Sequence, residues 1–575
     1  MRSLVTLLLL SVWLYALPHA IDQEIRKSGI AKKEISIYIK EAGEKGKVIA
    51  SLNADKTRTP ASVIKVFTTY AAALKLGFDY RWPTQFYKAG SLTNGVLRGD
   101  LVIKGFGDPT LNAKDLETIV SDIRAKGIRQ VTGDIVIDRS YFQVGDQDSS
   151  GFDQNLYSAY NAMPDAMMFN ERVVTVCVNP KERRVYKKHA DESYKVVNQL
   201  EHVNKPCRGK YSWPGVSIDK SDVVPVVLLK GKISKQCGER NICKVITKPY
   251  KSFYYALKEK MNEAGIAVRG TLKLKRVPGN ATMLFTHYSE PLEKIISTTS
   301  KESNNLYARH LLLHLGAQAY GAPATLEKGR DAIVSILKTK GALGRGTLKI
   351  DNGSGLSRTS KMNARQLAQL YDDAYQHYGD RWMETLSIAG IDGTMKQRFR
   401  HSVVSKKAWM KTGTIKRVKN IGGYVKNRAG KLYTVVIMIN SSKAKYRGTK
   451  LQNEILEWLA KSTAKPTVKA PSRTVQQRKS TSQKLFGDIE VNAPASAQKV
   501  QKTSAPKYYI QAGAFSRMPD HGYLGKINAL GFRYRVHHTD SYKVLIGAYG
   551  DEKGAREALQ KVRAQISPGA FIVKL

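Results

Sequence analysis

The chain has 575 residues, with 94 Lys+Arg set against 48 Asp+Glu, a formal net charge of +46 and four cysteines. At roughly 150 residues per domain, this length allows three or four domains and leaves ample chain for a large core. So positive a charge first raises nucleic acid as a partner, but the export signal described next argues against it. An anionic envelope polymer or membrane surface then becomes the natural counterpart, the plain alternative being a basic protein kept soluble by its charge.

Met1-Arg2-Ser3, an apolar run from Leu4 to Leu17 and Pro18-His19-Ala20 form the pattern of a secretory signal peptide over residues 1–20. The run is shorter than the roughly 20 apolar residues of a membrane span. An uncleaved anchor is the alternative. No later segment is apolar enough to cross a bilayer, so an exported, soluble chain with weak or no membrane association is expected.

Residues 21–82 open a first domain. Ile35 to Ile39 and Val48 to Leu52 alternate like strands around Gly43 and Gly46, and Val63 to Leu74 reads as a buried helix ended by Gly77. From 83 to 270 short β-type runs dominate: Asp100 to Lys104, Gly133 to Asp138, Arg172 to Val176 and Val223 to Leu229. Helical pattern returns from Pro291 through Ser303 to His314 and again at 325–340. Two strands, Ile421 to Val425 and Tyr433 to Ile439, and a helix near 447–460 follow. Residues 83–270 therefore read as an insertion into one domain formed by 21–82 and 271–460. Residues 461–506 lack apolar periodicity and read as a disordered basic linker. Residues 507–575 hold two similar strand segments, Tyr508 to Phe515 and Tyr542 to Tyr549, each followed by a helical stretch, 518–529 and 551–564. This is the pattern of a small α+β domain.

Cys177, Cys207, Cys237 and Cys243 all fall within the insertion. Their even number permits two disulfides with three possible connectivities. No histidine partners lie near Cys237 and Cys243, so zinc is discounted. No cofactor or metal is expected.

Three short motifs carry chemistry. Ser62-Val63-Ile64-Lys65 sets a hydroxyl and an amine on one helix face, and a serine needs such a base to become a nucleophile. Six other Ser-x-x-Lys matches occur, at Ser217, Ser335, Ser442, Ser462, Ser496 and Ser504. Ser62 stands apart because Thr59-Pro60-Ala61 places it at a helix start, where backbone N–H groups can stabilise an oxyanion. Ser303-Asn304-Asn305 offers a hydroxyl to relay a proton and an amide to orient Lys65 and substrate. Lys411-Thr412-Gly413 occurs once and supplies a cation and hydroxyl for a carboxylate, with a glycine that lets substrate lie along a strand edge. Burial and the charge of Lys411 would both lower the pKa of Lys65.

This set resembles the low-molecular-mass penicillin-binding proteins known as D-alanyl-D-alanine carboxypeptidase/endopeptidases, of the kind with a large insertion between the first two motifs. Gly105 to Leu111, Gly133 to Phe142 (GDIVIDRSYF), Asp351 to Arg358 (DNGSGLSR) and Ala389 to Thr394 (AGIDGT) extend the match. One departure is Asn304, where many members have aspartate. The resemblance implies a multidomain protein: an α/β serine DD-peptidase/β-lactamase-like catalytic domain (antiparallel sheet flanked by helices), a β-rich insertion and the small α+β domain. It implies Ser62 as acylating nucleophile, Lys65 as base, Ser303 as proton relay and Asn305 as holder of substrate and Lys65. Lys411 and Thr412 would bind the terminal carboxylate beside Gly413, and the N–H groups of Ser62 and Thr414 would form the oxyanion hole. Asn170 would contact the diamino-acid side chain. β-Lactams would be covalent inhibitors, and a β-lactamase is the nearest rival enzyme.

The C-terminal segment resembles a SPOR domain, a family that binds peptidoglycan glycan strands lacking stem peptides, often at division sites. Tyr509, Gln511 and Tyr549 would face the glycan, since aromatics stack on sugar rings while polar groups meet hydroxyls. The alternative has such aromatics in the core, because alternate strand positions must face the helices. The implied setting is the periplasm, with peptidoglycan stem peptides and denuded glycan strands as partners and division-site proteins as further candidates. A non-catalytic wall-binding scaffold is the remaining alternative.

Overall fold

A computed structural model describes residues 17–145, 147–221, 223–464, 508–515, 534–538 and 542–574, with scattered positions between 519 and 532. Most of the expected signal peptide and nearly all of the expected linker lie outside the described residues. The chain divides into two units, Met1–Lys469 and Ala470–Leu575.

Helix α1 (His19–Ser28) buries Ile21 and Ile25 and stops at Gly29, whose φ of 62° lets its N–H return to the Arg26 carbonyl. Strands β1 (Ile35–Glu41) and β2 (Val48–Leu52) pair as the expected hairpin. Every β1 residue from Ile35 to Lys40 is buried, so the strand is covered on both faces. After a 3-10 turn at Ala61–Ile64, helix α2 (Lys65–Leu76) is buried without a gap from Lys65 to Ala73. A helix closed to water on all sides belongs at the centre of a large core.

The inserted region holds β3 (Pro83–Thr93), β4 (Val96–Gly105), helix α3 (Asp115–Ala125), β5 (Gln130–Val131) and β6 (Ile135–Asp138). It continues through β7 (Val174–Asn179), β8 (Arg184–Lys187), β9 (Lys195–Val203), β10 (Gly215–Asp219), β11 (Val226–Ser234) and β12 (Arg240–Lys244). Helix α4 (Pro249–Glu263) and β13 (Ala267–Val268), β14 (Leu272–Leu274) and β15 (Thr282–Tyr288) close it. Strands β13, β5, β4, β3 and β15 lie side by side in that order, with β6 against β4 and β14 against β6. Leu116, Ile119 and Ile123 of α3 and Phe253, Leu257 and Met261 of α4 pack in one core on this sheet. The sheet carries the insertion to 288, past the expected end at 270. The reason is antiparallel pairing of β15 with β3, which puts Tyr288 opposite Pro83 and returns the chain to where it left. Two three-stranded sheets, β12-β7-β8 and β10-β11-β9, enclose Val176, Val178, Val227 and Leu229. Of the two bridges the cysteine count permits, Cys207–Cys237 forms. Cys177 and Cys243 remain thiols, because the β7–β12 register sets Asn241 opposite Cys177 and Thr175 opposite Cys243.

Helices α5 (Leu292–Lys301), α6 (Asn305–Tyr320), α7 (Leu326–Thr339), α8 (Ala364–Tyr378) and the short α9 (Asp380–Met383) resume the first domain. Strands β16 (Ser387–Ile388), β17 (Ala408–Ile415), β18 (Val418–Lys426) and β19 (Leu432–Asn440) and helix α10 (Ala444–Lys461) complete it. The six-stranded sheet runs β16-β17-β18-β19-β1-β2 with every pair antiparallel. One face meets α1 and α10 through Ile21, Ile25, Ile455 and Leu459; the other meets α2 and α8 through Val66, Phe67, Leu367 and Tyr371. Because β1 lies between β19 and β2, the domain closes only when its first and last segments meet. The helical pattern expected through Ser303 is broken there: α5 ends at Lys301, Ser303 has a φ of 59° and Asn304 caps α6.

In the C-terminal unit, β20 (Tyr508–Phe515), β21 (Tyr534–His538), β22 (Tyr542–Tyr549) and β23 (Phe571–Lys574) form a sheet in the order β21-β22-β20-β23. Helix α11 (Glu552–Gln565), capped by Asp551, matches the expected second helix and packs Val562 with Ile510, Val544 and Ile546. Most of the expected helix at 518–529 lies outside the described residues.

A buried ion pair ties the hairpin to the helical face. Lys40 Nζ lies 2.6 Å from Asp372 Oδ2, with side chains only 7% and 5% exposed. Asp372 also accepts from the Gly43 N–H and the Thr434 hydroxyl. Burial raises its pKa against the opposing pull of Lys40 and these donors. Asp372→Ala strands the Lys40 ammonium in the core, so a loss of about 3–5 kcal/mol is expected, read from the catalytic unit's transition in urea.

Candidate active site

Ser62 is set by a strained turn. Ala61 has a φ of 49°, a left-handed conformation that disfavours a side chain. Asn420 holds the turn by donating to the carbonyls of Thr59 and Pro60, at 2.9 and 2.8 Å, while the Thr59 N–H donates to Asn440. Two glycines let other segments close on it. A Cβ on Gly413 would lie 2.8 Å from the Pro60 carbonyl oxygen and 3.0 Å from the Ser62 nitrogen. One on Gly355 would lie 2.1 Å from the Ala61 oxygen.

Lys65, one turn on, is fully buried, and its Nζ lies 3.0 Å from Ser62 Oγ. It donates to Asn305 Oδ1 at 2.7 Å and to the Ser354 carbonyl. Burial, then the charges of Lys411 and Arg309, hold its pKa well below the usual lysine value. A neutral amine can give two hydrogens to Asn305 and Ser354 and keep its lone pair for the Ser62 hydroxyl proton.

Asn304 accepts from the Tyr307 N–H through its side chain and starts α6. Asn305, the first residue of that helix, faces Lys65 with its oxygen and donates through Nδ2 to the Tyr160 carbonyl at 3.0 Å. Ser303 Oγ accepts from Lys411 Nζ at 2.9 Å. Lys411 is fully buried, and desolvation lowers its pKa to about 7. Its Nζ also donates to the Thr412 carbonyl, and the Thr412 hydroxyl meets that of Thr394 at 2.9 Å. Thr414 follows Gly413 along β17 and is exposed. Since β16 pairs only with Met410 and Trp409, the outer edge of β17 from Lys411 onward has no strand partner among the described residues. An extended chain could add there.

The structure thus brings Ser62, Lys65, Ser303, Asn305, Lys411, Thr412 and Gly413 together. Asn170 meets none of them through its side-chain hydrogen bond, because its Oδ1 accepts from the Ala113 N–H. Its neighbour Glu171 reaches the residue between Ser303 and Asn305, accepting from Asn304 Nδ2 at 3.0 Å. Ser354, Thr394, Tyr160, Arg309 and Glu171 were missed as site residues by sequence reasoning. Ser354 and Thr394 sit in the DNGSGLSR and AGIDGT stretches, a signal that could have found them. Tyr160 contributes only a backbone carbonyl, which no side-chain pattern reports. In the C-terminal unit Tyr509 is buried at 8% exposure, whereas Gln511 and Tyr549 keep partial exposure. Among the described residues, no group of three or more His, Cys, Asp or Glu could hold a metal ion.

Residues 17–462 match the D-Ala-D-Ala carboxypeptidase 3 (S13) family, and residues 504–574 match the SPOR domain. The D-alanyl-D-alanine carboxypeptidase DacB of Haemophilus influenzae is 26% identical over 410 residues, which span 70% of this chain and 85% of that protein. The D-alanyl-D-alanine carboxypeptidase of Actinomadura sp. (strain R39) is 27% identical over 408 residues, 67% of this chain and 74% of that protein. In fold, the chain is similar to penicillin binding protein 4 (dacB) from Haemophilus influenzae: the TM-score is 0.66 at 23% identity, covering 77% of this chain and 99% of that one. With the family match spanning all three motifs, the chain belongs to the D-Ala-D-Ala carboxypeptidase 3 (S13) family and carries a C-terminal SPOR domain.

Proposed function

We propose that this serine-type D-Ala-D-Ala carboxypeptidase works through an acyl-enzyme on Ser62, and that it also cleaves the D-Ala cross-link between two stem peptides. The observation that carries this reading is the contact of a fully buried Lys65 amine with Ser62 Oγ at 3.0 Å. Ser62 Oγ attacks the carbonyl of the penultimate D-Ala while Lys65 takes its proton. The N–H groups of Ser62 and Thr414 receive the oxyanion. Lys411 and Thr412 bind the substrate's terminal carboxylate. Ser303 passes a proton to the leaving amine, and water then hydrolyses the ester. A terminal D-Ala and a cross-linking D-amino acid present the same bond, so one route serves both.

β-Lactams would acylate the same serine; the Haemophilus influenzae penicillin binding protein 4 has been solved complexed with a β-lactam. We further propose a periplasmic setting, in which the SPOR domain holds the enzyme on glycan strands lacking stem peptides, through a surface that includes Gln511 and Tyr549. The excess positive charge would add a weak, salt-sensitive adhesion to the wall. No helix of the described residues is long and apolar enough to cross a membrane.

Labelled penicillin should form a lasting adduct on Ser62 by mass spectrometry. Ser62→Ala should abolish it and slow D-Ala release by about 10⁴-fold or more. Unchanged hydrolysis would remove the serine mechanism, and an adduct that clears within seconds would make the enzyme a β-lactamase. Muropeptide analysis with monomeric and cross-linked substrates side by side tests the endopeptidase.

The two lysines set opposite pH requirements. Lys65 works as the free amine, so activity is lost as pH falls through its lowered pKa. Lys411 works as the cation, so carboxylate binding is lost as pH rises through about 7. A bell-shaped profile of kcat/KM is expected. Lys411→Arg, always charged, should shift the alkaline limb upward by more than one pH unit and leave the acid limb in place.

A further inference from the structure

Asn170, Glu171 and Arg172 have consecutive φ values of 46°, 52° and 62°, a left-handed turn built without glycine. L-residues adopt this conformation only where surroundings enforce it. Here the flanking residues are anchored inside the inserted region. The Asn170 N–H donates to the Leu111 carbonyl and its Oδ1 accepts from Ala113. Arg172 is buried, donates to the Met163 carbonyl and pairs with Asp148. Between these anchors Glu171 leaves the inserted region's own network and accepts from Asn304 Nδ2 at 3.0 Å.

We propose that Glu171 is a positioning residue for the carboxypeptidase reaction: through it the inserted region holds the turn that presents Ser303 and Asn305. Asn304 is gripped at both ends, its oxygen by the Tyr307 N–H and its nitrogen by Glu171. That grip orients Ser303 toward Lys411 and Asn305 toward Lys65. Glu171 makes its hydrogen bond to Asn304, whereas Lys65 meets Ser62, Asn305 and Ser354 and Lys411 meets Ser303 and the Thr412 carbonyl. Glu171 therefore acts by geometry and not through the charge state of either lysine. The contact also sets the residue type that position 304 requires. An aspartate there would set two carboxylates against each other about a hydrogen bond apart, whereas the amide supplies the donor that Glu171 requires.

This inference rests on the Ser62 acyl-enzyme reading, and its test uses the full chain, labelled penicillin and a D-Ala-D-Ala peptide. Glu171→Ala should slow acylation about 10- to 100-fold, the cost of a slightly misplaced catalytic group, without moving either limb of the pH profile. Glu171→Gln keeps the acceptor and should stay within about threefold of wild type. Asn304→Asp alone should be impaired. Combining it with Glu171→Gln restores a donor–acceptor pair in reverse and should recover most of the lost rate, a rescue that a purely structural role would not give. The combined Glu171→Ala, Asn304→Ala protein should be no slower than the slower single variant, as coupled residues require. Wild-type acylation by Glu171→Ala, full activity of Asn304→Asp without its partner change, or additive single effects would each overturn the assignment. A wild-type protein that forms no adduct would instead sink the Ser62 reading, and this inference with it.

Discussion

Lys65 Nζ is sealed from solvent and reaches Ser62 Oγ, one turn away, at 3.0 Å and two distant segments at once: Asn305 Oδ1 at 2.7 Å and the carbonyl of Ser354. An unpaired ammonium in such a place is prohibitively costly, and no carboxylate is among these contacts. The low interior dielectric and the nearby cations Lys411 and Arg309 instead drive the lysine toward its neutral form. The same burial that makes the charged form expensive weakens the amine's hold on a proton. Every other part of the site is arranged around keeping it dry and aimed.

The sheet and central helices accomplish this by convergence. Helix α2 presents Lys65, helix α6 begins at Asn305, and β17 carries Lys411, each element buried where it enters the site. Close approach needs missing side chains at Gly413 and Gly355, where a Cβ would strike the backbone around Ser62. Asn420 and Asn440 then clamp the turn before Ser62 to the sheet. Strand β1, threaded between β19 and β2, makes the arrangement conditional on the whole domain having closed.

The inserted region is part of this constraint and not merely an appendage. It leaves at Pro83 and returns at Tyr288 on adjacent strands, so the catalytic domain is not pulled apart by it. It then reaches back into the site: the Tyr160 carbonyl receives Asn305, the Ala162 carbonyl receives Arg309, and Glu171 receives Asn304. Its position between the first two motifs is thus matched by contacts to the second.

Much of this was legible in the chain alone, because the residues concerned are local in their logic. Ser62 and Lys65 lie one helical turn apart, the strands around Ile37 and Val435 alternate, and the Lys411-Thr412-Gly413 run stands on a strand edge; each follows from neighbours a few positions away. What only the tertiary structure decided depends on partners hundreds of residues distant. Ser303 reads as mid-helix by periodicity, yet its positive φ and the Asn304 cap make it a turn, because Glu171 and Lys411 meet that turn from other elements. One cysteine bridge forms just beyond the parallel pairing of β9 with β11, and the insertion ends where β15 finds β3, neither of which local pattern contains. Composition and periodicity therefore determined most of the segments that become helix and strand. Long-range hydrogen-bond partners and glycine-permitted close approaches determined where those segments meet.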